Sequence, residues 1–302
     1  MSALNPKRLL IDCDPGLDDA IALALAARAP EIEIFAITTA AGNAEIDRVT
    51  DNALSLAASF GLKCPIYAGA AAPMRLKPHY ATQIWGGDGS LPLKRPRRGA
   101  LTQLAIEFLE ELLENAPIAS ITACLIAPMT NLGSLLARKP ELAAKFDRLF
   151  IMGGALGAGN ASRAAELNIW FDPHAARHVL QANIPATILP LDITRELIPT
   201  PQQLARLDQS SHPIAQLCAR LLNDASLGDP DAIHDAAVIA FLLWPELFSY
   251  EIGTMRVIAT DGPARGQTSF TPGPGPHQLI KGVEREPMLD KLIWRLAAEP
   301  AR

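Results

Sequence analysis

Four carboxylates crowd one short stretch near the amino terminus, Ile11-Asp12-Cys13-Asp14-Pro15-Gly16-Leu17-Asp18-Asp19-Ala20. A continuous apolar run, Arg8 to Cys13, leads into them and an Ala/Leu segment of helical period, Leu17 to Arg28, follows, so they sit between a buried strand and a helix. Like charges this close to a buried strand are costly and require a cation to offset them. An all-oxygen donor set favours calcium or magnesium over zinc. Helix capping accounts for one of the four, Asp18, through the dipole and the open N–H groups of a first turn, but not for all. An EF-hand is excluded, since the D-x-D-x-D-G spacing and the distal Glu are absent.

The elements that must hold this turn alternate between short apolar runs and helical-period segments, the pattern of βα units around a mainly parallel sheet. After the first pair come a strand over Ile32 to Thr38, a helix over Ile46 to Phe60 stopped by Gly61, and a short strand over Pro65 to Ala68. Ala70 to Ala100 breaks the rhythm with prolines and glycines, and a loop that long in a compact domain is functional or mobile. The alternation resumes with a helix over Leu101 to Asn115, a strand over Ser120 to Ile126, a helix over Thr130 to Ala137 and a strand over Arg148 to Met152. A glycine-rich segment, Gly153 to Asn160, precedes a helix opened by Asp172-Pro173. A strand over Ala186 to Leu189 follows, then helices over Gln202 to Leu207, Ile214 to Asp224 and Ala236 to Leu243, strands within Glu251 to Thr271 and a closing helix over Met288 to Ala297. In an open parallel sheet, ligands bind beyond the carboxyl ends of the strands, where the acidic turn falls.

The 302 residues are 49% hydrophobic, 20% charged and 5% aromatic, which suits a chain with a large core and excludes a disordered, collagen-like or disulfide-stapled one. Without repeat or linker, 1–302 reads as a single domain. The balance of 27 basic against 32 acidic residues gives a net charge of −5, and no basic surface for nucleic acid is expected. Neither a signal peptide nor a membrane helix is recognisable, so a soluble cytoplasmic protein is expected. Cys13, Cys64, Cys124 and Cys218 lack metal-ligand spacing and read as buried thiols in a reducing compartment.

The string D-x-D-P-G-x-D-D-A resembles the amino-terminal signature of the calcium-dependent nucleoside hydrolases, which cleave the N-glycosidic bond of ribonucleosides. Further segments fit that family in order: Thr38 to Asn43; Ile126-Ala127-Pro128-Met129-Thr130-Asn131, similar to its T-G-P-L-T-N; Asn160, Glu166, Leu167 and Asn168, similar to G-N…E-F-N-I-W; and Ile233-His234-Asp235-Ala236, similar to V-H-D. The resemblance implies a Rossmann-like α/β fold, an open parallel sheet flanked by helices, and Ca²⁺ held by Asp14, Asp19, the carbonyl of Ile126 and Asp235. It implies Asp14 as general base, His234 assisting the leaving base, Asp18, Asn168 and Asn43 around the 2′ and 3′ hydroxyls, and Asn160 with Glu166 at the 5′ end. Asp12 is expected behind the metal ligands. A ribonucleoside is the implied partner, with a homodimer or homotetramer as the assembly.

Two departures bear on the base. Where the family carries H-G-x-x-G, this chain has Trp85-Gly86-Gly87-Asp88-Gly89, and an indole there could stack on a purine or merely pack the loop. The segment from Asn223 to Asp231 lacks the tyrosines common in that lid. Purine ribonucleosides are expected over pyrimidine ones. Two other readings stay open: an aspartate-nucleophile phosphatase resembling the haloacid dehalogenases, against which Pro15-Gly16 argues, and a non-catalytic nucleoside-binding protein. His174 and His178, spaced i,i+4 without a metalloprotease Glu, read as a solvated helix face.

Overall fold

The computed structural model describes residues 6–85, 87–94, 99–224 and 232–299, with Ile84 and Trp85 described in their backbone alone. Among these residues nine strands form one sheet: β1 (Lys7–Cys13), β2 (Ile32–Thr39), β3 (Ile66–Ala68), β4 (Ile121–Leu125), β5 (Phe146–Met152), β6 (Ala186–Leu189), β7 (Phe248–Val257), β8 (Thr268–Pro272) and β9 (His277–Val283). Their order is β3-β2-β1-β4-β5-β6-β9-β7-β8. All neighbours from β3 to β9 run parallel, and β7 and β8 add an antiparallel edge. This is the expected mainly parallel α/β fold.

Side-chain alternation along β1 divides the core between the two faces of the sheet. Leu9, Ile11 and Cys13 pack with helices Leu17–Ala27, Pro213–Leu222 and Ala236–Leu243, whereas Leu10 packs with Ala105–Asn115, Thr130–Arg138 and Pro173–Gln181. The helix ends follow the residues that stop or cap them. Gly61 adopts a left-handed φ of 72° after Phe60, and Asp172 accepts the Ala175 N–H at 3.0 Å just ahead of Pro173.

β1 lies between β2 and β4, and the chain reaches β4 only after completing β2 and β3 on the other side. Strand order therefore reverses at the carboxyl ends of β1 and β4, where a crevice opens. Asp12 is in register with Leu125, and the Ile126 N–H donates to the Asp12 carbonyl at 2.9 Å, which sets Asp14 beside Ile126 at that opening.

Four local expectations need correction. The helix after the long loop begins at Ala105, with Leu101 in an isolated bridge to Tyr67. β9 was not anticipated, and it is the strand that joins the antiparallel pair to β6. Its Gln278, Lys281 and Gly282 interrupt the apolar pattern, so pairing on both sides substitutes for intrinsic propensity. Cys13, Cys124 and Cys218 are buried as expected, but Cys64 is only partly so. His174 and His178 likewise sit half-buried on Pro173–Gln181. No helix among the described residues is long and apolar enough to cross a membrane.

Candidate active site

The acidic turn folds around its own backbone. Asp19, fully buried in the first turn of Leu17–Ala27, accepts the Asp14 N–H on Oδ1 at 3.1 Å and the Gly16 N–H on Oδ2 at 2.9 Å. The capping role expected of Asp18 thus belongs to Asp19, because the third helical residue can reach back over the turn. Asp19 Oδ2 also accepts the Asn43 side-chain amide at 3.4 Å. Asp14 accepts the Asn43 N–H on Oδ2 at 2.7 Å, and its Oδ1 is buried with no hydrogen-bond partner. Asn43, at the end of the β2 connection, also donates its side-chain amide to the Asp14 carbonyl at 3.0 Å.

Asp235, at the start of Ala236–Leu243, closes the cluster from the opposite side. Asp18, Asp19 and Asp235 each present a carboxylate oxygen within 4.8 Å of the others, a spacing that could hold a metal ion. Asp14, Asp18, Ile126 and Asp235 line one cavity of about 230 Å³, with Asp19 immediately behind.

The far wall comes from the segment after β5. Glu166 caps the short helix Leu167–Phe171: Oε1 accepts the Asn168 N–H at 2.7 Å, while Oε2 accepts those of Gly154 at 3.0 Å and Ile169 at 3.2 Å. Asn160 accepts the Leu167 N–H at 2.9 Å, which leaves its amide N–H group as the donor it can offer. Asn168 donates to the carbonyls of Ile126 and Met152, each at 3.3 Å, and so ties this wall to the end of β4. All three line the cavity. His234 lines it too, with Nδ1 2.8 Å from Oγ1 of the buried Thr194 on the turn Leu191–Thr194. Every expected site residue except Trp85 is therefore at or directly behind one cavity; the Trp85 side chain and residues 225–231 of the lid lie outside the described residues.

Burial dominates the electrostatics. It raises Asp12 to about 6, Asp19 to about 8 and Glu166 to about 7, with Asp18 adding repulsion at Asp19. Asp14 and Asp235 are driven well above the ordinary carboxylate range by burial first and by their acidic neighbours second. A buried carboxylate oxygen without a donor, amid carboxylates that resist ionisation together, is the environment a hard divalent cation satisfies.

Sequence reading missed the scaffold behind the turn. Asp12 Oδ1 accepts the Thr38 hydroxyl at 2.6 Å and the Asn131 amide at 2.8 Å, and Asn131 also binds the Thr39 carbonyl and the Ala70 N–H, each at 2.9 Å. The family-like segments were visible, but nothing local announces which side chain spans three elements. Gly42 is equally structural: a Cβ there would overlap Asp14 Oδ2 and lie 2.7 Å from the Pro128 ring. Gly42→Ala is expected to destabilise the protein by about 1–3 kcal/mol through overpacking, read as a lowered midpoint in thermal denaturation.

The sequence profile described as "Inosine-uridine preferring nucleoside hydrolase" matches residues 9–290. The chain is 36% identical to the pyrimidine-specific ribonucleoside hydrolase RihA of Klebsiella pneumoniae subsp. pneumoniae, over 96% of this chain and 98% of that protein. It is 31% identical to the pyrimidine-specific ribonucleoside hydrolase RihB of Escherichia coli O9:H4, over 88% of this chain and 87% of that one. A solved plant nucleoside hydrolase, PpNRh1, superposes with a TM-score of 0.88 at 29% identity, over 97% of this chain and all of that one. The phosphatase alternative falls with these matches, and with a profile spanning both the acidic turn and the His234-Asp235 pair, the chain belongs to the inosine-uridine preferring nucleoside hydrolase family.

Proposed function

We propose that this protein hydrolyses the N-glycosidic bond of ribonucleosides with Ca²⁺ as its cation, releasing ribose and the free base. The observation that carries this reading is the partnerless, buried Oδ1 of Asp14, set in a cavity that Asp18, Asn43, Asn160, Asn168 and His234 also line, donors and acceptors suited to a sugar. Asp14, Asp19, Asp235 and the Ile126 carbonyl would hold the ion. When bound, it offsets the carboxylate charge and acidifies a water molecule.

Asp14 is the group placed to take a proton from water as its oxygen bonds to C1′ of the ribose and the C1′–N bond breaks. Positive charge develops on the sugar as in other glycoside cleavages, and the surrounding carboxylates favour it. Asp18 and Asn168 hold the 2′ and 3′ hydroxyls, supported by Asn43. The N–H group of Asn160 reaches the 5′ end, with Glu166 fixing the backbone there. The electron pair of the broken bond passes to the base nitrogen, towards which His234 donates a hydrogen bond or proton. The Thr194 hydroxyl at Nδ1 orients that ring.

For the base we favour pyrimidines over the purine lean drawn from Trp85. The support is the similarity to RihA and RihB, both named pyrimidine-specific, over most of the chain. Ribose release from uridine, cytidine and inosine in the presence of calcium tests both levels. The expected result is turnover of all three, with kcat/KM for uridine or cytidine at least about tenfold above inosine, within the range pocket contacts provide. Faster inosine turnover would restore the purine reading. Absence of ribose release from every nucleoside would refute the function.

A further inference from the structure

The side chain of Asn52 stands outside the cavity yet touches two of the segments that line it. It projects from the helix Ile46–Phe60 and is buried, with 5% of its surface exposed. Its amide nitrogen donates to the Pro15 carbonyl at 2.8 Å and to the Gly89 carbonyl at 2.7 Å, and its oxygen accepts the Leu91 N–H at 3.2 Å. Pro15 belongs to the acidic turn, one residue after Asp14. Gly89 and Leu91 belong to the loop 87–91, all of whose residues line the cavity. Both amide hydrogens and the carbonyl are therefore used, and all three partners are backbone groups of segments without regular secondary structure.

We infer that Asn52 is a positioning residue that latches the loop 87–91 to the acidic turn and so fixes where that wall of the substrate cavity stands. Besides this latch the loop is anchored by the buried Leu91 side chain, and its other polar contacts among the described residues are weaker. Asp88 caps Ser90 within the loop and pairs with Arg48 at 3.6 Å across an exposed surface, a contact of small worth. Gly89 adopts a left-handed φ of 71°, and a Cβ there would lie 2.5 Å from Ala44 Cβ, so the loop approaches the β2 connection too closely for any side chain. The latch thus fixes a tight backbone seat. The inference rests on the ribonucleoside reading for its kinetic consequence, though not for the coupling itself.

Two measurements on Asn52→Leu test it: steady-state kinetics with a ribonucleoside and calcium, and amide hydrogen exchange of the metal-loaded protein without substrate. The expected result is a KM raised about tenfold or more, in keeping with the loss of all three hydrogen bonds, with kcat within about threefold. Exchange should accelerate in 87–91 and leave β1 and β4 unchanged. Gly89→Ala, which displaces the same loop without touching Asn52, should reproduce the KM rise and serves if the first variant does not fold. Unchanged KM and exchange in either folded variant, or a loss confined to kcat, overturns the inference. If the wild type hydrolyses no ribonucleoside but the variant still loosens 87–91, the catalytic reading fails and the latch stands.

Discussion

Replacing Asp14 with asparagine is expected to lower kcat for ribonucleoside hydrolysis by about 10³-fold or more, while the folded protein stays at least as stable as the wild type in the absence of divalent cation. General-base catalysis alone contributes typically about 10²–10⁴-fold, and this variant also loses one anionic ligand. The carboxamide oxygen can still accept the Asn43 N–H that Oδ2 now accepts at 2.7 Å, so the turn keeps its geometry. The variant also removes a carboxylate whose ionised form is disfavoured by burial and by Asp19. Kinetics at saturating calcium, paired with melting curves with and without calcium, separate the two effects. Turnover at the wild-type rate would remove Asp14 from the mechanism.

The second large effect is on stability. Stripping divalent cations should destabilise the protein, and more so at pH 8 than at pH 5.5. Asp12, Asp19 and Glu166 have folded values of about 6, 8 and 7 against ordinary values of 3.8, 3.8 and 4.5. Groups raised in this way contribute stability that is complete below their unfolded values and is lost as pH rises through the folded ones. The cation-free protein should therefore weaken between pH 5.5 and 8. Cation binding allows ionisation in place and restores stability, by about 4 kcal/mol at a thousandfold excess over Kd. His277 works in the opposite sense: burial pushes it to about 4, so its contribution is lost as pH falls below its ordinary 6.5. It is common to both states and cancels when melting curves with calcium and with chelator are subtracted at each pH. A chelator that leaves the midpoint unchanged at pH 8 would contradict a cation-compensated cluster.

The site was legible in the sequence to the extent that its residues flank strands. Asp14 and Asp18 beyond β1, Asn43 beyond β2, Ile126 beyond β4 and the Glu166-Leu167-Asn168 run beyond β5 all follow short apolar segments whose carboxyl ends share one edge. What was not legible depends on contacts distant in sequence. Asn52 reads as one polar residue on an amphipathic helix until its partners 37 residues away on either side are known. Asn131 reads as a helix-start residue until it is seen to reach Asp12 from 119 residues away. Asp18 and Asp19 are neighbours whose roles differ only through helix phase, which a one-residue uncertainty in the start exchanges. β9 escaped because its stability comes from β6 and β7 and little from its own pattern.

The proposed chemistry requires one cation held by one set of oxygens, and an anomalous diffraction map of crystals grown with calcium tests that most directly. The predicted result is a single strong peak within about 2.3–2.6 Å of Asp14, Asp19, Asp235 and the Ile126 carbonyl, the range of calcium–oxygen bonds. A peak bound elsewhere, or none at saturating calcium with the four groups ordered, would contradict it.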